Sequence, residues 1–172
     1  MTDAVAGPSL APRDLAELRE LLVAVAACEA VGLVGGAATA RSTREWLPTL
    51  DLPPYQPPGW VFGPVWTLLY ALMGVSLAGV RRARPAGDSE RDRALQLFTV
   101  QLACNGLWSF LFFGRRSPRA GLVDAVLIEV ALGLTIKAIW KVSRPAALIL
   151  LPYLAWTTFA LVLTADITRR NP

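Results

Sequence analysis

Three sets of residues combine large flat rings with polar handles at helical spacing. Trp66, Tyr70 and Met73 fall at i, i+4 and i+7; Asn105, Trp108 and Phe112 at i, i+3 and i+7; Tyr153, Trp156 and Ala160 at i, i+3 and i+7. On helices each set shares one face. If the faces converge, the chemistry they offer is non-covalent: rings stack on a flat apolar guest, while an amide or an indole N–H orients its polar edge. A packed aromatic core produces the same spacing, and spacing alone leaves both open.

Covalent and metal chemistry are poorly provided for. The chain has no His and only two Cys, which removes His-based proton transfer, most zinc sites, haem held by His and a disulfide framework. Asp124 and Glu129, five residues apart on one helix, point about 140° apart and do not form a paired-carboxylate site. No catalytic residue and no metal ligand is assigned. Glu29 is an acid inside an apolar stretch, a functional candidate by position, though burial as a neutral or paired group would serve structure alone.

The elements that position these residues are membrane helices. Of 172 residues, 54% are hydrophobic and only 17% charged, below the roughly 25% of a soluble domain. Five apolar stretches are long enough to cross hydrocarbon: Leu21 to Ala40, Pro64 to Val80, Leu95 to Phe113, Ala120 to Trp140 and Ala146 to Ile167. They lack the alternation of barrel strands, so a five-helix all-α bundle is expected, with consecutive helices antiparallel and the termini on opposite sides. Asn105 and Trp156 each come eleventh in their stretch, about 15 Å deep, where both need hydrogen-bond partners. Ala24, Cys28, Gly32, Gly36 and Ala40 recur every four residues on the first stretch, a strip of small side chains suited to close helix packing.

A single domain over 1–172 is expected, with residues 1–18 a flexible tail that lacks the features of a cleaved signal peptide. The excess of 17 Lys and Arg over 13 Asp and Glu sits between apolar stretches, which points to membrane topology and away from nucleic acid. Arg and Lys at the N-terminus and in the second and fourth connections slightly outnumber those on the other side, favouring a cytoplasmic N-terminus. No internal repeat is visible, so an inverted-repeat transporter has no support. The segment Arg81 to Arg93 reads as a solvated turn. The connection Arg41 to Gly63 is long and holds five prolines together with Trp46, Tyr55, Trp60 and Phe62. Its aromatic content argues for a folded lid. Trp46, Trp60 and Trp140, near the ends of the apolar stretches, also suit an interfacial belt.

Three ordered blocks carry a resemblance. Pro57-Pro58-Gly59-Trp60-Val61-Phe62-Gly63-Pro64-Val65-Trp66-Thr67-Leu68-Leu69-Tyr70 follows Trp46; then come Gln101-Leu102-Ala103-Cys104-Asn105-Gly106-Leu107-Trp108-Ser109 and Pro152-Tyr153-Leu154-Ala155-Trp156. Together they resemble the tryptophan-rich sensory protein/translocator protein family (TspO/MBR) over about residues 20 to 171. The resemblance implies five transmembrane helices, often in homodimers, with a pocket open toward the first loop. It implies ligands such as protoporphyrin IX and related tetrapyrroles, benzodiazepine and isoquinoline-type compounds and, in animals, cholesterol. The ligand-binding residues carried over are Trp46, Trp66, Tyr70, Asn105, Trp108, Trp156 and Ala160, to which helical spacing adds Tyr153. Thr164 stands where members commonly have Asn, Tyr55 where they have an aromatic such as Trp, and Glu29 where relatives have a small residue. No basic residue follows Tyr153 within five positions, so no conventional sterol motif is expected there.

Without His to ligate iron, metal-free porphyrin suits the site better than haem, and no bound cofactor is expected. The function expected is that of a multi-pass receptor or carrier, in a bacterial cell membrane, for porphyrin or a related lipophilic molecule, serving tetrapyrrole handling or stress signalling. The alternatives are a proton-coupled exporter of hydrophobic cations using Glu29 and an enzyme for light-dependent porphyrin breakdown.

Overall fold

The computed structural model describes residues 10–172, and every regular element among them is helical. Five long helices make the bundle: α1 (Leu15–Glu45), α2 (Gly59–Ala83), α3 (Ser89–Ser109), α4 (Pro118–Val142) and α6 (Leu151–Arg170), with the short α5 (Arg144–Leu148) leading into α6. The path of α3 continues through a π-helical turn, Phe110–Gly114.

The helices start where local chemistry directs. Asp14, Asp88, Ser117 and Ser143 cap α1, α3, α4 and α5, each side chain accepting from a backbone N–H in the first turn. Pro118 and Pro145 occupy first-turn positions, where a missing N–H has little cost. α1 begins at Leu15, inside the range 1–18 expected as a tail. Leu10 packs on the core, and its carbonyl accepts from Arg82 at 2.8 Å. Residues 1–9 lie outside the described part of the chain.

Four stretches, those of α1, α2, α3 and α5–α6, are long and apolar enough to cross a membrane. α4 has the length but carries Asp124, Glu129 and Lys137. It packs against both α3 and α6, with Asp124 turned inward and Val123, Val126, Leu127, Val130 and Leu134 outward. Its exposed face is thus as apolar as that of its neighbours, and the fold is a five-helix membrane bundle.

The strip of small residues on α1 is used only in part. Ala24 and Cys28 are buried and Gly32 lies under Tyr70, whereas a Cβ on Gly36 would meet nothing within 4 Å. A four-residue step advances 40° beyond a full turn, so a strict i+4 strip winds off the contact face. Gly35, packed against Ser109 of α3, and the buried Thr39 continue the contact.

The first connection is shorter than Arg41 to Gly63. α1 runs on to Glu45, and Pro57-Pro58 immediately precede α2, leaving the loop at 46–58 with a 3-10 turn at Leu47–Thr49. Pro64 falls inside α2, close to its exposed start. The loop is folded onto α6. Asp51 N–H donates to Asn171 Oδ1 at 3.0 Å, Asn171 Nδ2 returns a bond to the Asp51 carbonyl at 3.1 Å, and Tyr55 donates to Asp166 Oδ2 at 3.1 Å. Leu47, Leu50 and Leu52 pack around Phe112, Leu163 and Ile167. The turn between α2 and α3 is more tightly stitched than a solvated one: Arg84 pairs with Glu90 at 2.9 Å and donates to the Lys141 carbonyl at 2.9 Å.

Candidate functional site

Four of the eight expected ligand residues meet directly. Tyr70 of α2 donates to Asn105 Oδ1 of α3 at 2.5 Å, and Asn105 Nδ2 donates to the Tyr153 hydroxyl of α6 at 2.9 Å. Trp66, one turn before Tyr70, has its ring centroid 5.5 Å from that of Tyr70 and 6.2 Å from that of Tyr153. The amide that needed a partner at depth therefore has two, supplied by rings on neighbouring helices. Tyr153 has no solvent exposure and Asn105 is buried.

The other four flank this group. Trp108 stacks on Phe112 with centroids 4.8 Å apart and planes 12° from parallel, and Trp46, at the end of α1, meets Phe112 edge-on at 5.5 Å. Trp156 meets Phe62 of α2 at 5.8 Å and Phe159 at 5.5 Å, while its indole Nε1 is buried without a partner among the described residues. Ala160 lies half-buried one turn further along α6, with no ring contact. Trp46 is thus folded against the bundle, whereas Trp60 and Trp140 are exposed as an interfacial belt requires; Arg144 lies 5.6 Å over the Trp140 ring. A break at Ile149 and Leu150 makes Trp156 the sixth residue of α6, shallower within its own helix than an unbroken stretch from Ala146 would place it.

The rings pack on one another. Two hollows open elsewhere: one of about 300 Å³ between α1 and α3, lined by Ala30, Val31, Val34, Gly106 and Phe110, and one of about 320 Å³ beneath Tyr55, lined with Val162, Ala165, Asp166 and Arg169. Neither is lined by the eight residues. Trp66, Tyr70 and Tyr153 contact one another, Trp108 stacks on Phe112, and Leu47, Leu50 and Leu52 of the loop pack around Phe112.

Sequence reasoning left out three contributors. Gln101, four residues before Asn105 and on the same face, accepts from the Tyr153 hydroxyl at 3.2 Å; an amide in an apolar stretch was the signal. Phe62 falls in the first connection by sequence, because Pro64 masks the start of α2 at Gly59. Gly121 of α4 lets the Phe112 ring approach its backbone, and a Cβ there would come within 2.6 Å of that ring. Glu29, half-buried on α1, forms no hydrogen bond or ion pair with any described residue. At the loop, burial and then the neighbouring Asp166 carboxylate hold the Tyr55 phenol above its ordinary range.

These features define an integral, multi-pass membrane helix bundle whose core is an aromatic cluster threaded by hydrogen-bonded amides and phenols. A sequence profile of the TspO/MBR family matches residues 24–170, and the chain belongs to that family. It is 40% identical over 156 residues to the tryptophan-rich protein TspO of Chlorobaculum tepidum, covering 91% of this chain and 98% of that one. It is 42% identical over 152 residues to the tryptophan-rich protein TspO of Archaeoglobus fulgidus, covering 88% and 97%. The translocator protein of Homo sapiens is 39% identical over 138 residues, covering 80% and 82%.

Proposed function

We propose that this protein is a membrane receptor or carrier that takes a metal-free porphyrin, protoporphyrin IX or a related lipophilic molecule, between the aromatic faces of α2, α3 and α6. The observation that carries this reading is the convergence of Trp66, Tyr70, Asn105 and Tyr153 from three helices onto one hydrogen-bonded centre. Trp and Tyr rings offer wide stacking faces, and the guest exchanges ring-to-ring contacts for ring-to-guest contacts of the same kind. Because the rings now touch, entry requires the loop at 46–58 to lift and the rings to part. Relatives named for translocation and for sensing fit a protein that binds and releases a guest.

The test is a titration of detergent-solubilised protein with protoporphyrin IX, read as quenching of Trp fluorescence. Saturable quenching is expected, with the dissociation constant raised about tenfold or more in Trp66→Ala and Trp156→Ala, as for loss of a stacked aromatic partner. Unchanged affinity in both variants would remove the guest from this site.

A further inference from the structure

Three hydrogen bonds in the aromatic core run in the same sense. Tyr70 donates to Asn105 Oδ1, Asn105 Nδ2 donates to the Tyr153 oxygen, and Tyr153 donates to Gln101 Oε1. The orientations of Asn105 and Gln101 support each other: turning the Gln101 amide alone would leave the Tyr153 proton without its acceptor. What remains at the end of the chain is therefore Gln101 Nε2, a donor. It is buried and has no partner among the described residues, and the residue as a whole has no solvent exposure. Trp156 Nε1 is a second buried donor without a partner among the described residues, on α6 one turn beyond Tyr153. The carbonyl oxygens of Asn105 and Gln101 are already taken. Among the described residues, the unpartnered buried side-chain atoms on α3 and α6 are thus both donors, whereas the acceptors Asp124 Oδ2 and Glu129 Oε2, also buried without a partner, sit on α4.

A buried donor left without an acceptor carries its full desolvation penalty, which an oxygen atom relieves and a C–H or another N–H does not. We propose that the site selects flat guests bearing an acceptor oxygen, a carbonyl or a carboxylate, and that Gln101 is the residue that sets this preference, with Trp156 as the second donor. This rests on the reading of the aromatic core as the guest site. It adds that the polar handles engage the oxygenated rim of a tetrapyrrole, not the N–H groups at its centre. A site built around unpaired donors rejects the analogue that lacks the acceptor more strongly than an apolar wall rejects a missing methylene.

Two matched probe pairs test it in detergent: protoporphyrin IX dimethyl ester against etioporphyrin, which has only alkyl groups on the same ring, and anthraquinone against anthracene. Wild-type protein is expected to bind the oxygenated member of each pair about tenfold more tightly. Gln101→Glu, in alkaline buffer, keeps an oxygen to accept from the Tyr153 hydroxyl and puts a second oxygen in place of the free Nε2 donor, and is expected to bring the ratio close to one. Trp156→Phe is expected to lower the ratio in part, and it carries the comparison alone should Gln101→Glu fail to fold by circular dichroism. A ratio near one in the wild type, or one unchanged in the folded variants, overturns the proposal. Porphyrins that bind without regard to oxygen sink the selectivity and leave the porphyrin reading standing. A preference for anthraquinone that depends on Gln101, with no porphyrin bound, does the reverse, and failure of every probe to bind ends both.

Discussion

The ring of Tyr70 occupies the space that a Cβ on Gly32 would need. This approach brings α1 and α2 together at the level of the aromatic core and holds the phenol where its hydroxyl reaches Asn105 on α3. Gly32→Ala is expected to displace the ring and destabilise the fold by about 1–3 kcal/mol, as overpacking does. Gly74→Ala meets the Val25 backbone, which yields less readily than a side chain, and is expected to cost at least as much. Gly36→Ala meets nothing within 4 Å and is expected to leave stability unchanged or raise it by up to about 1 kcal/mol, through the higher helix propensity of Ala. Denaturant unfolding in detergent of all three variants checks the order.

Tyr70→Phe keeps the ring against Trp66 and removes only the hydroxyl, leaving Asn105 Oδ1 buried without its donor. The expected loss of stability is about 1–3 kcal/mol. Asn105→Leu should cost more, because the Tyr70 and Tyr153 hydroxyls both lose a partner. Thermal unfolding of the two variants side by side measures the difference.

The Tyr55 phenol, shifted upward by burial and by Asp166, holds its proton more tightly in the folded loop than in a free chain. Its contribution to the clasp is present below the ordinary phenol value, about 10, and is lost as pH rises through the higher folded value. The ultraviolet titration of Tyr55, isolated by difference from Tyr55→Phe, should have its midpoint above 10. In Asp166→Asn it should move back toward the ordinary value.

Glu29 has no partner among the described residues, so replacing it breaks no bond. Glu29→Gln is expected to leave thermal stability unchanged or raised, and to leave porphyrin quenching intact. A marked loss of stability would show a partner for the carboxylate. Loss of pH-driven cation uptake in proteoliposomes would favour the exporter alternative.

Much of this arrangement was legible in the residues. The spacing of Trp66 and Tyr70, of Asn105 and Trp108, and of Tyr153 and Trp156 selected faces that do converge, because helices in hydrocarbon pair their own backbone groups and leave polar side chains to find each other. Element ends were less legible. Pro64 read as a boundary, although near an exposed helix start its missing N–H is tolerable, and Phe62 was lost to the loop with it. The i+4 strip on α1 was overextended because the drift of a real helix is invisible in a pattern of letters. The ring-on-ring contacts of the core were out of reach, since they and a guest-filled space demand the same residues.

The wide turn at the end of α3 is closed by i to i+5 bonding, with Arg115 N–H donating to the Phe110 carbonyl at 2.8 Å, and Ser117 N–H just beyond it donating to the Phe112 carbonyl at 3.1 Å. Such a turn accommodates one more residue than an ordinary helix would over the same rise. Deleting a single residue there would let the segment wind normally and swing Phe112 off both Trp108 and Gly121. The geometry of the core thus hangs on a one-residue insertion, a kind of change that substitution scanning never samples.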